Sequence, residues 1–310
     1  MTDEPEAQPI PEGHKSGFIA VVGRPNVGKS TLMNAILGEK IAIVSPKPQT
    51  TRIRQLGIYT RDDVQIIFVD TPGIHEARTK LGEFMVGVAV DALRDADLIL
   101  FLVDVSAPPH EEDRRIVDLI QQAGNMTLMV LNKIDLANAE VLTANSEAFR
   151  ALLPGAETIT TSAKSGQGVN DVMERIITRL PEGPRYYPED QLSDTAVRDI
   201  AAEIVREKVL LNLEEEVPHG VVTITEEFKE RSAELTYIGV TVYVERDSHK
   251  GIVIGKGGKM LKTISQQSRI ELEAFLGTKV YLELWVKVLK NWRKDETMLR
   301  RLGYRLSRDN

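Results

Sequence analysis

Gly23-Arg24-Pro25-Asn26-Val27-Gly28-Lys29-Ser30, with Phe18-Ile19-Ala20-Val21-Val22 before it and Thr31-Leu32-Met33-Asn34-Ala35-Ile36-Leu37 after it, decides the fold. The stretch fits G-x-x-x-x-G-K-S/T in a strand, loop, helix setting, where that pattern has chemical meaning. Glycine lets the backbone curl so that successive N–H groups and the positive end of the following helix face a polyphosphate. Lys29 then reaches the β and γ oxygens, and Ser30 offers a hydroxyl to Mg²⁺. The candidate phosphate-binding residues are Gly23, Asn26, Val27, Gly28, Lys29, Ser30 and Thr31. A glycine-rich turn that only joins a strand to a helix is the plain alternative, and the flanking pattern argues against it.

Outward from this loop, apolar strands alternate with helical stretches. Arg54–Tyr59 and Val64–Val69 read as strands, Leu81–Arg94 as a helix, and Asp97–Val103 as a near-continuous apolar strand of the kind buried on both faces of a parallel sheet. Helices near 114–122, 142–152 and 169–180 alternate with strands at 127–131 and 157–160. This rhythm predicts a doubly wound α/β domain with a mostly parallel sheet over residues 17–181. Pro181-Glu182-Gly183-Pro184 and the prolines that follow break it, placing a linker at 182–192. Beyond lies a smaller α+β domain, 193–310, in the order helix, strand, strand, helix, helix, strand, closed by a basic helix over Asn291–Leu302. Ser193-Asp194 is the expected cap of its first helix, Gly220–Phe228 its first strand, and its paired helices are placed at 259–268 and 270–276.

The 310 residues and 42% hydrophobic content suffice for two cores. The absence of cysteine excludes disulfides and thiolate metal sites and suits a reducing cytoplasm. Residues 1–16, acidic and proline-rich, predict a disordered tail with no signal-peptide character. A net charge of -7 would argue against nucleic acid if it were evenly spread. Between Arg246 and Arg269, however, six basic residues face only Asp247.

Asn132-Lys133-Ile134-Asp135 follows a strand at the ligand-binding edge of the predicted sheet. An ionised Asp135 only accepts, so it pairs with the N1–H and 2-amino group of guanine; adenine offers an acceptor and no amine there. Ser162, Ala163 and Lys164 follow a later strand and offer backbone N–H and a lysine stem to the same base. Asp70-Thr71-Pro72-Gly73 ends another strand, where Asp70 can hold Mg²⁺ through water and the Gly73 N–H can meet a γ-phosphate. Either Thr50 or Thr51 can add a hydroxyl to that Mg²⁺ while the phosphate is present.

In this order and spacing, the residues resemble the translation-factor-like GTPases, and Gln49-Thr50-Thr51-Arg52 with the phosphate loop narrows the resemblance to the Era-like branch. The resemblance implies Mg²⁺ on Ser30, Thr51 (or Thr50) and Asp70, guanine on Asn132, Lys133 and Asp135, and K⁺ held partly by Asn26. Ile74 stands where Ras-type GTPases carry glutamine and cannot orient the attacking water. Slow turnover is therefore expected, within a decade or two of the ~10⁻⁴ to 10⁻² s⁻¹ of unassisted switch GTPases. The adjacent His75 reads as solvated.

Gly255-Lys256-Gly257-Gly258, between an apolar segment and a helix start, resembles the Gly-x-x-Gly loop of a type II KH domain. Such a loop approaches a sugar–phosphate chain of about four nucleotides. Gly255, Lys256, Gly257, Gly258, Lys259 and Lys262 are the candidate RNA-binding residues. Ile252, Ile254, Met260 and Ile264 read first as core, while Trp285 and Trp292 read as sheet cover or base platforms. The resemblance covers everything after residue 16 and implies a monomeric cytoplasmic factor that binds GTP, GDP and small-subunit ribosomal RNA near its 3′ end. It also implies help in small-subunit maturation and peripheral contact with the inner membrane. A membrane-linked signalling switch, its basic end (to Arg305 and Arg308) on lipid, and a GTPase serving an RNA-modification partner are the competing readings.

Overall fold

Residues 98–103 are buried along their whole length because helices cover both faces of the strand they form. A computed structural model of the chain describes residues 11–45, 47, 50–74, 76–77 and 79–304. Residues 1–10 of the expected tail, Gln49, His75, and Arg305 and Arg308 of the basic end lie outside the described residues. Six strands, β1 (Lys15–Val22), β2 (Gln55–Arg61), β3 (Val64–Asp70), β4 (Leu98–Asp104), β5 (Thr127–Asn132) and β6 (Glu157–Thr160), make one sheet in the order β2-β3-β1-β4-β5-β6. Only β2 runs antiparallel to its neighbour.

Helices α1 (Lys29–Leu37), α2 (Lys80–Asp95), α3 (Glu111–Ala123), α4 (Ala139–Leu152) and α5 (Val169–Arg179) flank the sheet. Alternate residues of β4 divide between the layers: Leu98, Leu100 and Leu102 pack with α1 and α5, whereas Ile99, Phe101 and Val103 pack with α2, α3 and α4. The parallel arrangement brings the C-terminal ends of β1, β3, β4, β5 and β6 to one edge, the place where such sheets bind ligands.

Two boundaries differ from the sequence reading. Strand β1 begins at Lys15, inside the expected tail, because Lys15 pairs with Val64 and bridges to Glu182. The segment after Pro181 is no free tether. Gln65 Oε1 accepts from the N–H groups of Tyr186 and Tyr187 while its Nε2 donates to Tyr187 O. The Ile58 N–H donates to Leu192 O at 2.8 Å and Ser193 Oγ to Leu56 O at 2.7 Å, so the segment shields the outer edge of β2.

The C-terminal module comprises α6 (Val197–Asn212), β7 (Val222–Ser232), β8 (Leu235–Val244), α7 (Asp247–Ile254), α8 (Lys259–Leu276), β9 (Lys279–Val288) and α9 (Glu296–Arg301). Its sheet runs β7-β8-β9, with β8 and β9 parallel. Val240, Val242 and Val286 bury one face of it against Val205, Val253, Ile264 and Leu272 of the helices. The other face carries Val222 and Tyr243 to Leu81, Phe84 and Met85 of α2, joined there by Trp292, Leu299 and Tyr304.

The expected element order holds, but its helices fall elsewhere. The segment before Gly255 is itself helix α7, and residues 259–276 form one continuous helix where two were expected. The α6 N-cap is Ala196 without a side-chain cap, since the Ser193 hydroxyl is engaged by β2. The closing helix shortens to a single 3₁₀ turn, Trp292–Lys294, followed by α9.

Candidate functional site

The turn from β1 into α1 holds Gly28 at φ +106°, and a Cβ there would lie 2.3 Å from the Asn132 amide nitrogen, so the position admits only glycine. Lys29 opens α1 and is buried, its ammonium donating to the carbonyls of Gly23 at 3.1 Å and Arg24 at 3.2 Å. Burial lowers its pKa to about 8, opposed by the attraction of Asp70. Asn26, at φ +65°, bends the loop in left-handed backbone.

Ser30 Oγ donates to Asp70 Oδ2 at 2.8 Å, and Thr51 Oγ1 lies 3.1 Å from the same oxygen and 3.2 Å from Ser30 Oγ. Thr50 Oγ1 turns away and donates to Lys47 O at 2.7 Å. The geometry thus separates the two threonines: Thr51 joins the oxygen cluster and Thr50 does not. Burial raises the Asp70 pKa against Lys29, Ser30 and Thr51, and its Oδ1 is buried without a hydrogen-bond partner. Two hydroxyls and a carboxylate with a free oxygen are a hard donor set that fits Mg²⁺. Ser30, Thr51 and Asp70 would hold Mg²⁺, which would supply positive charge to a polyphosphate. Among the described residues no group of three or more His, Asp or Glu forms a metal cluster.

Thr71 Oγ1 donates to Val21 O at 2.8 Å and, with the buried Pro72, fixes the path to Gly73. A Cβ on Gly73 would meet the Pro25 nitrogen at 2.8 Å, so this glycine lets the Asp70–Gly73 segment lie directly on the phosphate loop. Ile74 is 4% exposed and packs in the core with Ala89 and Leu56.

On the base side, Asn132 Nδ2 donates to Val27 O at 2.7 Å and its Oδ1 accepts from the Ala163 N–H at 2.9 Å, tying the β5 and β6 loops to the phosphate loop. Ser162 Oγ donates to Asp135 Oδ1 at 2.6 Å, which orients the carboxylate. Lys133, at φ +67°, donates to Asp104 Oδ2 at 2.7 Å. Burial raises the Asp104 pKa, but hydrogen bonds from Lys133 and Ser106 outweigh it and leave the carboxyl below its ordinary value. Arg24 approaches Asp104 at 4.0 Å and Asp113 at 3.4 Å, joining the phosphate loop by charge to the end of β4 and the first turn of α3.

A cavity of about 510 Å³ brings Lys29, Ser30, Thr51, Gly73, Asp135 and Lys164 onto one wall system. Its apolar lining by Ile43, Val44 and Leu136 was not anticipated from sequence, nor was Asp104. A strand-end carboxylate, the signal that singled out Asp70, also marks Asp104. The apolar lining had no comparable mark.

At the other candidate site, Gly255-Lys256-Gly257-Gly258 joins α7 to α8. Gly257 (φ +60°) and Gly258 (φ +75°) are left-handed, and a Cβ on either would meet nothing within 4 Å, which leaves room for an incoming backbone. Lys256, Lys259 and Lys262 are exposed around the turn. Ile264 is core and Ile254 and Met260 are half-buried, but Ile252 is 49% exposed, contrary to its reading as core. Trp292 is buried and Trp285 covers Gly239, so both serve the sheet or its flank.

Residues 18–133 match the family model of 50S ribosome-binding GTPases, and residues 216–293 match the KH domain model. The chain is 47% identical over 296 residues to GTPase Era of Ruminiclostridium cellulolyticum, spanning 96% of this chain and 99% of that one. It is 49% identical over 296 residues to GTPase Era of Caldanaerobacter subterraneus subsp. tengcongensis, spanning 95% and 99%. Among solved structures, Era in complex with MgGDPNP and nucleotides 1506–1542 of 16S ribosomal RNA matches with TM-score 0.90 at 40% identity, over 94% of this chain and 100% of that one. A variant of Aquifex aeolicus Era bound to GDP.AlF4- matches with the same score, identity and coverage. Near-complete coverage at this identity, with a GTPase model over the first part of the chain and a KH domain model over the last, places the chain in the Era family of GTPases.

Proposed function

We propose that the chain is a GTP-controlled RNA switch that assists maturation of the small ribosomal subunit. GTP binds the cleft between Lys29 and Asp135 and is hydrolysed slowly; RNA from the 3′ end of the small-subunit ribosomal RNA lies along Gly255–Lys262. The complex of Era with MgGDPNP and 16S ribosomal RNA supports this choice of ligands. The observation that carries the switch reading is that the first switch, around Thr50 and Thr51, and the helix that follows the second, Asp70–Gly73, both touch the C-terminal module: the Thr50 carbonyl accepts from Arg206, and α2 packs on Trp292. The test is the affinity of the full chain for an RNA oligonucleotide of nucleotides 1506–1542, measured with GDPNP and with GDP. Tighter binding in one nucleotide state is expected, and equal affinities would overturn the reading.

Asn26 is the residue we assign to a K⁺ ion beside the γ-phosphate, which a comparison of GTP turnover in K⁺ and Na⁺ at matched ionic strength tests. Thr51, Ser30 and Asp70 take Mg²⁺ in this reading. The protein acts as a cytoplasmic monomer, and its exposed Lys294 and Arg301 carry the peripheral contact with the inner membrane. No helix among the described residues is long and apolar enough to cross a membrane.

A further inference from the structure

Four consecutive residues of the first switch are each held by a different partner. Arg206 of α6 donates to the Thr50 carbonyl, and Thr51 joins Ser30 and Asp70 in the oxygen cluster. Arg52, only 3% exposed, leaves the nucleotide domain altogether. Its Nη1 donates to Val221 O at 2.5 Å and its Nη2 to His219 O at 3.1 Å and Pro218 O at 3.4 Å. Its guanidinium lies 5.7 Å from the centre of the Trp292 ring. Ile53 packs on the apolar seam beside it.

This arrangement constrains motion. Consecutive Cα atoms are fixed about 3.8 Å apart across a trans peptide. With Arg52 seated in a cage of carbonyls, Thr51 leaves the oxygen cluster only if the cage opens or the module follows. Conversely, a shift of residues 218–221 or Trp292 pulls on Thr51. The planar guanidinium suits the cage because it donates in several fixed directions at once, which an ammonium on a flexible stem does less well.

We propose that Arg52 is a positioning residue that makes the preference of the nucleotide site for GTP over GDP depend on the docked pose of the C-terminal module. The inference rests on the switch reading above. Thr51 serves only the triphosphate state, so the seat of Arg52 adds to the binding of GTP and leaves that of GDP alone. Linkage makes the effect reciprocal: GTP favours the docked pose, and RNA that prefers this pose favours GTP.

The test uses the full chain with Arg52→Met, which fills the cage without donors, and Arg52→Lys, which keeps the charge but gathers its donors on a single nitrogen. Binding of fluorescent GDPNP and GDP with Mg²⁺ is titrated, together with the 1506–1542 RNA oligonucleotide in each nucleotide state. Arg52→Met is expected to weaken GDPNP about ten- to thirty-fold, with GDP within about two-fold, and to bring the RNA affinities in the two states together. Arg52→Lys should fall between it and the parent chain. A purely structural role would lower the melting temperature while leaving the GDPNP-to-GDP ratio unchanged, and that ratio in a variant that still binds GDP would overturn the proposal. Should Arg52→Met lose GDP binding through misfolding, Arg52→Lys decides on the same ratio. If the parent chain binds RNA equally in both states, the switch reading fails, while the nucleotide titration still decides Arg52.

Discussion

At the scale of single residues, the phosphate loop holds a cation in a place that disfavours it. Lys29 is buried, and that burial lowers its pKa to about 8 although the attraction of Asp70 works the other way; its ammonium donates to the carbonyls of Gly23 and Arg24. Phosphates closing on it restore the ordinary value or raise it further, so binding takes up a proton wherever the free site has lost one. Below pH 7 the lysine is charged before and after binding, and affinity is flat. Above pH 8 the free site is neutral, and nucleotide affinity falls about tenfold per pH unit. GDP titrations from pH 6.5 to 9 check this, with Lys29→Arg as the control: weaker throughout, but flat with pH. A parent curve as flat as the variant's would show that Lys29 keeps its proton across the range.

At the scale of elements, the sequence announced those whose pattern is set by their own burial and hid those set by a neighbour. Strand β4, apolar from Leu98 to Val103, and the Gly28-Lys29-Ser30 turn were readable because each requires particular residues at particular places. Helix α7 was not: Gly251 followed by β-branched Ile252, Val253 and Ile254 is poor helix sequence, and the burial of Val253 in the module core overrides it. Ser193 was misread for the same reason, its hydroxyl being taken by Leu56 O across 137 positions of chain. The segment over 182–192, expected as a linker, is held to the sheet by the fully buried Gln65. Motion between domains must then turn after Ser193, at 194–196 where α6 begins. Gln65→Leu leaves two N–H groups and a carbonyl unpaired at a cost of about 1–3 kcal/mol. Limited proteolysis should cut 184–192 markedly faster in this variant; unchanged cleavage would mean that Leu192 and Ser193 alone hold the segment.

At the scale of the molecule, a charge cluster and an apolar seam join the domains besides the seat of Arg52, and their magnitudes decide which of the two weighs more in docking. One is a charge cluster: Lys40 pairs with Glu207 at 2.7 Å and Glu271 at 2.6 Å, and Lys208 bridges the same two carboxylates. Lys40 is 42% exposed, and an ion pair with one partner so open to water is worth about 0–1 kcal/mol. The other contact is the apolar seam of Leu81, Phe84 and Met85 against Trp292, Leu299 and Tyr304, in which Phe84 meets Tyr304 edge-on at 5.5 Å. Each such side chain removed from water contributes about 1.5–3 kcal/mol. The seam therefore outweighs the charges, and because α2 follows the second switch, docking answers to the apolar contact at that switch as well as to Arg52. Phe84→Ala should increase the maximum dimension seen by small-angle scattering and split thermal unfolding into two transitions. Lys40→Met should leave both nearly unchanged, with only a weaker dependence on salt. The reverse outcome, undocking by Lys40→Met with Phe84→Ala silent, would place control of the interface at Glu207, where the carboxylate also accepts from the Val44 N–H at 2.8 Å on the segment leading to Thr50.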